Sequence, residues 1–296
     1  MTPRNQGIAG VVLAQTVLGT LGLCVLQAAA SPLSIAFYRC AIAALGLGLY
    51  AALRGDLPAL LHLPRRVLLL SILSGFLMAG NWVLFFEAIR RSGISLATIV
   101  FHVQPFLMVL ISGLLFRERL HRVTFVWFGL ALLGLACATG IFGLPGVAGR
   151  GSGIDWFGIG AAVAAAFLYS LVAIIAKRLP RSSGLHLTLI QCLCGALVLA
   201  PWLPLIPSEV TAGQWRWFAT IGLVHTGGVY VLLYNALPKL PTAVAAVFLF
   251  FYPISAILVD AAWFRHPISP IQLAGFLCVL LASLGTTLKW GQAKAG

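Results

Sequence analysis

The chain has 296 residues, of which 61% are hydrophobic and only 8% charged, with a mean hydropathy of +1.03. A soluble chain carries about 25% charged residues, so an aqueous globular core is excluded and the solvent of this chain is lipid. The net charge of +13 does not indicate nucleic acid, because the basic residues are scattered over short loops rather than gathered on one face; the expected partners are a lipid bilayer and a small molecule.

A helical membrane crossing needs roughly 20 apolar residues. Ten runs meet that length, at about 8–29, 32–53, 66–88, 94–116, 121–142, 154–177, 184–203, 214–236, 242–264 and 270–289, which predicts an all-α membrane protein. The first run ends in Ala28-Ala29-Ala30, which resembles a signal-peptide cleavage site. A signal core is only about 7–15 residues long, however, and the first run matches its sisters in length. The links carry turn signals, among them Arg54-Gly55-Asp56-Leu57-Pro58, Lys177-Arg178-Leu179-Pro180 and His266-Pro267. With the N-terminus inside, thirteen Lys and Arg fall on the inner side and five on the outer, these being Arg90, Arg91, Arg150, Arg216 and Arg265. The positive-inside rule then puts both termini in the cytoplasm.

The stretch from Gly80 reappears from Gly228 at an offset of 148 residues, with nine identities in 39 positions that include Pro105/Pro253, Phe116/Phe264 and Arg117/Arg265. Such self-similarity predicts one unit written twice: residues 1–145, an outer linker at 146–153, and residues 154–296. Five spans per unit is an odd number, so the second copy enters the membrane inverted. That arrangement places substrate near the midplane, between the halves, in many secondary transporters. The glycines of the linker, Pro145 to Gly153, lack the strand and amphipathic helix that a phosphate-binding loop requires.

Of 15 prolines, only Pro105 and Pro253 lie well inside a run, at equivalent positions. A helical proline lacks an N–H and crowds the carbonyl four residues back. Irregular backbone at depth is tolerated only against protein or a wet cavity, so the matched pair is expected to act as hinges beside a cavity; a plain packing kink is the alternative for either one alone. Polar and aromatic residues gather at the same depth: Asn81, His102 and Gln104, then Tyr169, Ser170, His225, Tyr230, Asn235, Phe250, Phe251 and Tyr252. Tyr38 and Trp82 are the other deep rings. Such residues either bond across helices or face a cavity. Trp156, Trp202, Trp215, Trp217, Trp263 and Trp290 fall at run boundaries, as an interfacial belt does.

Charges within runs are few. Glu87 is expected to pair with Arg90 or Arg91, and Asp260 with Arg265, while Arg39 meets either a structural partner or a substrate carboxylate. No carboxylate falls at the midplane, which argues against a carboxylate proton relay. A histidine titrates near neutral pH, so His102 is the residue through which a proton gradient would act. The six cysteines lie in apolar runs without zinc spacing, so no metal is expected. Small pairs such as Gly75/Ala79, Gly134/Ala138 and Gly158/Ala162 suit close helix packing. Hydrolase motifs and a nucleotide-binding lysine loop are absent; the expectation is no enzyme and no cofactor, with any driving force a gradient.

Ala88 and the run to Pro105, Phe116-Arg117-Glu118-Arg119-Leu120 and Gly129 through Gly134, with Ala236, Pro253, Phe264-Arg265 and Gly275 in the second copy, resemble the EamA-type members of the drug/metabolite transporter superfamily. The resemblance covers nearly the whole chain and implies ten spans as two inverted five-helix repeats in a bacterial inner membrane. Two positions depart from the pattern: His266 stands where a glutamate is usual, and Gln191 where a basic residue would match Arg39. The chain is most similar to the aromatic amino acid exporter branch, which implies export of aromatic and other neutral amino acids. Asn81, His102 and Gln104 are then expected at the polar end of the substrate, with Tyr38, Trp82, Tyr169, Phe251 and Tyr252 around its side chain. Lipophilic drugs or other metabolites are the alternative cargo, and a non-transporting scaffold or sensor the alternative class.

The charge count predicts the side of the C-terminus. A green fluorescent protein fused after Gly296 should fluoresce and an alkaline phosphatase fused there should be inactive; the opposite pair of readings would reverse the orientation.

Overall fold

The computed structural model describes residues 2–92, 97, 100–116, 121–138, 155–179, 184–205, 210–264 and 269–291. Within them the chain is helical, with no strand. Helices start where the sequence supplies a cap. Thr2 caps α1 (Pro3–Leu18), accepting from the Asn5 N–H, with Pro3 in the first turn. After the short α2 (Leu21–Ala28), Ser31 caps α3 (Pro32–Leu53), accepting from the Ser34 N–H. Each such cap contributes about 1 kcal/mol by satisfying an orphan donor. Gly55, at φ 71°, ends α3: the Asp56 N–H reaches back to the Ala51 carbonyl at 2.8 Å, a closure that glycine makes without a Cβ penalty.

α4 (Leu57–Leu61) leads into α5 (Arg65–Ser92), followed by α6 (Gln104–Phe116) and α7 (Arg122–Ala138). Asp155 then caps α8 (Trp156–Arg178), and α9 (Gly184–Leu199) follows. Thr211 and Gln214 form a capping box at α10 (Ala212–Thr220), as Ser269 and Gln272 do at α14 (Pro270–Thr287). Between these lie α11 (Val229–Ala236), α12 (Thr242–Phe248) and α13 (Phe251–Phe264).

Eight stretches among the described residues are long and apolar enough to cross a membrane: Pro3–Val25, Leu33–Leu53, Arg65–Phe85, Trp156–Arg178, Gly184–Trp202, Ala212–Lys239, Thr242–Trp263 and Pro270–Thr287. The runs expected at 94–116 and 121–142 are represented by the shorter apolar helices Gln104–Phe116 and Arg122–Cys137. The remaining parts of those two runs that belong to 94–96, 98–99 and 139–142, the segment Arg117 to Leu120, the linker 146–153, and Arg265 and His266 lie outside the described residues. Outward faces carry bare apolar side chains, such as Leu114 at 82% exposure, as a lipid-facing surface must. Trp156, Trp202, Trp215, Trp263 and Trp290 are exposed on the same surface.

The prolines act differently from a mid-helix kink. The helix turns at His102–Val103 and again at Leu249–Phe250, and a new helix begins just beyond each turn. Pro105 is the second residue of α6 and Pro253 the third of α13. In a first turn the missing N–H has no intrahelical acceptor to lose. Backbone bonding continues across the breaks in tightened form: Val103 N–H to the Val100 carbonyl at 3.1 Å, and Phe250 N–H to the Val247 carbonyl at 3.1 Å. A third departure was not legible beforehand. Ile221–Gly228, within the expected plain span 214–236, is wound as a π-helix, with the Thr226 hydroxyl donating to the Ile221 carbonyl five residues back.

α5 packs along α8 and against α9, while α1 packs against α11, α12 and α13. α3 lies between α9 and the π segment, α6 against α8 and α12, and α7 along α14. Glycine sets the α7–α14 distance. A Cβ on Gly134 would stand 2.7 Å from the Gly275 carbonyl oxygen and 2.8 Å from Cys278 Cβ, whereas one on Gly129 would meet nothing within 4 Å. Gly134→Val is therefore expected to destabilise by about 1–3 kcal/mol through overpacking, and Gly129→Ala to be neutral or stabilising by up to about 1 kcal/mol. Thermal unfolding of the two variants in detergent checks the contrast.

Candidate functional site

The breaks converge on a cavity of about 120 Å³. A water needs roughly 10–15 Å³ of such space, so the cavity holds several waters or a small organic group. Its wall takes Gln15 and Leu18 from α1, Arg39 from α3, Asn81, Trp82 and Phe85 from α5, Tyr169 from α8 and Tyr230 from α11. Phe101, His102 and Gln104 come from one break, Leu249 and Tyr252 from the other.

The two breaks touch. His102 stacks on Tyr252, centroids 6.1 Å apart and planes 5° apart, and its ring lies 5.9 Å from Phe250. Phe101 stands 4.6 Å from Phe85 and 5.9 Å from Tyr169, which continues the ring wall. Polar groups on and behind this wall fall into two kinds. The Asn81 amide donates to the Ala165 carbonyl at 2.8 Å, tying α5 to α8. The Ser170 hydroxyl donates to the Gln104 carbonyl at 2.9 Å, tying α8 to the break. The Gln104 side-chain amide nitrogen, by contrast, is fully buried with no hydrogen-bond partner among the described residues. An unpaired amide in a dry site costs about 1–3 kcal/mol.

Arg39 is the one Lys, Arg, Asp or Glu on this wall among the described residues, and it is only 4% exposed. Its guanidinium lies 4.3 Å above the Trp82 ring, its Nε donates to Thr226 Oγ1 at 3.1 Å, and Tyr230 stands beside it. The π-helical turn is what delivers Thr226 to that nitrogen. A desolvated cation–π contact contributes about 2 kcal/mol and a hydrogen bond to a charged group about 1.5–3 kcal/mol. The burial of an ion costs several kcal/mol, and no carboxylate pairs with Arg39 among the described residues. Of the acidic side chains that are described, Glu87 and Asp155 both bind Arg91, at 2.6 and 3.3 Å, joining the end of α5 to the start of α8. There the Gly158 N–H and the Arg91 guanidinium hold the Asp155 carboxyl below the usual carboxylate range. The expected Glu87–Arg91 pair is thus present, while the Arg90 side chain lies outside the described residues. The Asp260 side chain and Arg265 lie outside the described residues; Asp260 follows Tyr252 by eight residues, about 12 Å along the helix.

Six of the expected residues meet at the cavity: Asn81, Trp82, His102, Gln104, Tyr169 and Tyr252. Tyr38 and Phe251 are not on its wall. Tyr38 packs on Phe218 and Trp215 at 4.8 and 5.2 Å, and Phe251 on Phe248 at 5.4 Å. Consecutive helical residues point about 100° apart, so when Arg39 and Tyr252 face inward their neighbours face away. Pro105 and Pro253 shape the breaks without lining the cavity. Gln15 and Tyr230 are additions. Gln15 was detectable as an amide in the middle of the first apolar run. His225 bonds Thr20 at 2.7 Å, a link between helices. No group of three or more His, Cys, Asp or Glu comes together among the described residues.

The contrast between the two amides is testable. Asn81→Ala removes a made hydrogen bond and should lower stability by about 1–2 kcal/mol, whereas Gln104→Met removes an unmade one and should leave stability equal or higher. Thermal unfolding of the purified variants measures both; a loss of stability in Gln104→Met would mean that its amide is bonded in the folded protein.

The EamA-like transporter family model matches residues 5–140 and again 156–288. The chain is 26% identical over 294 residues to the uncharacterised transporter YxxF of Bacillus subtilis, covering 99% of this chain and 92% of that one. It is 26% identical to the threonine/homoserine exporter RhtA of Escherichia coli K12, over 72% of this chain and 69% of RhtA. It is 25% identical to the riboflavin transporter ImpX of Fusobacterium nucleatum, over 64% of each. A solved crystal structure, 20% identical, superposes with a TM-score of 0.80 over 97% of this chain and 98% of that one, a likeness of fold. With both matched segments on a bundle of membrane-length apolar helices around a buried cavity, the chain belongs to the EamA-like transporter family.

Proposed function

We propose that this protein exports neutral amino acids, aromatic ones among them, across the bacterial inner membrane by alternating access. In this reading ten spans form two inverted five-helix halves, residues 1–145 and 154–296, joined by the outer linker 146–153, with both termini cytoplasmic. The packing supports the symmetry: α5 rests on α8 as α11 rests on α1, α5 on α9 as the π segment rests on α3, and α6 on α8 as α13 rests on α1. Each pairing survives exchange of the halves. Positions 148 residues apart also recur on the cavity wall: Phe101 and Leu249, Gln104 and Tyr252, Trp82 and Tyr230.

The observation that carries the reading is the cavity itself, which is lined by both broken helices. It offers amides, an imidazole and a guanidinium beside a wall of rings. A zwitterion with an apolar side chain needs such a division. The threonine/homoserine exporter among the relatives supports amino acids as cargo. The riboflavin transporter favours a second reading, in which the stacked His102 and Tyr252 serve another ring-bearing metabolite. In either case Pro105 and Pro253 serve as hinges, because the breaks let the two halves of each helix tilt independently.

The test is flux from proteoliposomes that contain only this protein, loaded with labelled phenylalanine, tryptophan, threonine, riboflavin or a lipophilic cation, with and without a pH gradient. Protein-dependent amino acid flux is expected, reduced at least tenfold in His102→Ala and Gln104→Ala and reduced in Asn81→Ala. Riboflavin or cation flux alone would replace the cargo class, unchanged flux in all three variants would remove those residues from the site, and silence for every compound in folded protein would favour a scaffold or sensor.

A further inference from the structure

Resting on the transport reading above, we propose that Arg39 is the anchor for a carboxylate carried by the cargo. The transported class is then a carboxylate whose other end is apolar or aromatic, with or without an amino group, and amines that lack the carboxylate are excluded.

Four observations converge. First, the Arg39 guanidinium is turned onto the Trp82 face inside the cavity rather than out toward a membrane surface, and among the described residues its hydrogen bonds go to neutral hydroxyls, those of Thr226 and Tyr230. A guanidinium carries five N–H donors in a planar fork that fits a carboxylate through two parallel bonds. Its Nε is engaged by Thr226, and among the described residues no carboxylate meets the rest. Buried charges in membranes otherwise pair or mark a substrate path.

Second, the charge is not needed for the structural tie that Arg39 makes. The opposite half builds the corresponding tie, second helix of one half to third helix of the other, from a neutral amide: Gln191 donates to Ser74 Oγ at 2.9 Å and accepts from the Tyr234 hydroxyl at 2.8 Å. Gln191 is satisfied by these two bonds. Arg39 does the same mechanical work and leaves a positive charge over.

Third, the Gln104 amide nitrogen, 3% exposed and unpartnered, lines the same cavity. An unpaired amide donor beside a guanidinium that meets only neutral partners calls for an acceptor-rich, anionic group. Fourth, α6 and α13 both begin at this wall, through Gln104 and Tyr252. Helix N-termini carry partial positive charge, so the dipoles add to the field of Arg39. Trp82, Phe85 and Tyr252 then leave a ring-lined space for the apolar end.

The experiment pairs binding with flux. Purified wild-type protein is heated with millimolar 3-phenylpropionate, phenylalanine, threonine or phenethylamine, since a ligand that binds the folded state raises the unfolding temperature. The same compounds, unlabelled, compete with labelled phenylalanine in proteoliposomes. Carboxylates should stabilise and compete, and phenethylamine should be at least tenfold weaker. Arg39→Gln should abolish the difference, and Arg39→Lys should retain part of it, because a lysine keeps the charge without the fork. Equal action of phenethylamine and 3-phenylpropionate on the wild type, or stabilisation by no carboxylate, would overturn the proposal, and this arm stands even if Arg39→Gln fails to fold. Arg39→Gln that folds and keeps carboxylate selectivity would overturn it as well. Carboxylate-selective stabilisation with no flux would instead overturn the transport reading and leave the anchor in place.

Discussion

A backbone amide in hydrocarbon has no water to bond, and this requirement governs the molecule. It keeps the chain helical through nearly every apolar run and confines irregular backbone to places covered by protein. The turns at His102–Val103 and Leu249–Phe250 meet that condition by facing each other, His102 against Phe250 and Tyr252. The π-helical stretch Ile221–Gly228 meets it by internal bonding, with Thr226 closing onto Ile221. These three departures border or serve the same cavity.

The polar residues on and around the wall of that cavity are of two kinds. Asn81, Ser170 and Gln191 have found partners on neighbouring helices and hold the bundle at its depth. Arg39 and Gln104 bring donors that the described residues leave with little or no acceptor. The first kind stabilises the empty protein. The second kind costs stability for as long as its donors stay unpaired. The two are told apart by hydrogen-bond geometry, not by residue type.

The same separation explains the surface. Leucines that would be a liability in water stand bare on the outward faces, while small residues mediate close contact inside, as Gly134 does against Gly275 and Cys278. Lipid offers no hydrophobic force between helices, so close packing must hold them together. That in turn makes the interior sensitive to a single methyl group at Gly134, whereas one at the exposed Gly129 would meet nothing.

The sequence by itself determined a great deal. Composition dictated lipid as the solvent, the length of the apolar runs dictated membrane-crossing helices, and the runs placed from about 32, 154, 214 and 270 begin within two residues of the helix starts at Pro32, Trp156, Ala212 and Pro270. The depth at which His102, Gln104 and Tyr252 gather was legible because the prolines punctuate it. Rotation about each helix axis was not. Nearly uniform apolar runs carry little periodicity, so nothing local distinguished Arg39 from Tyr38 or Tyr252 from Phe251 as the one that turns inward. Only the tertiary structure decided that, because the facing direction of a residue is set by which neighbouring helices pack against it. The same packing made Gln191 a bonded strut and left Arg39 with a charge over, a difference that depends on partners 117 and 187 residues away along the chain.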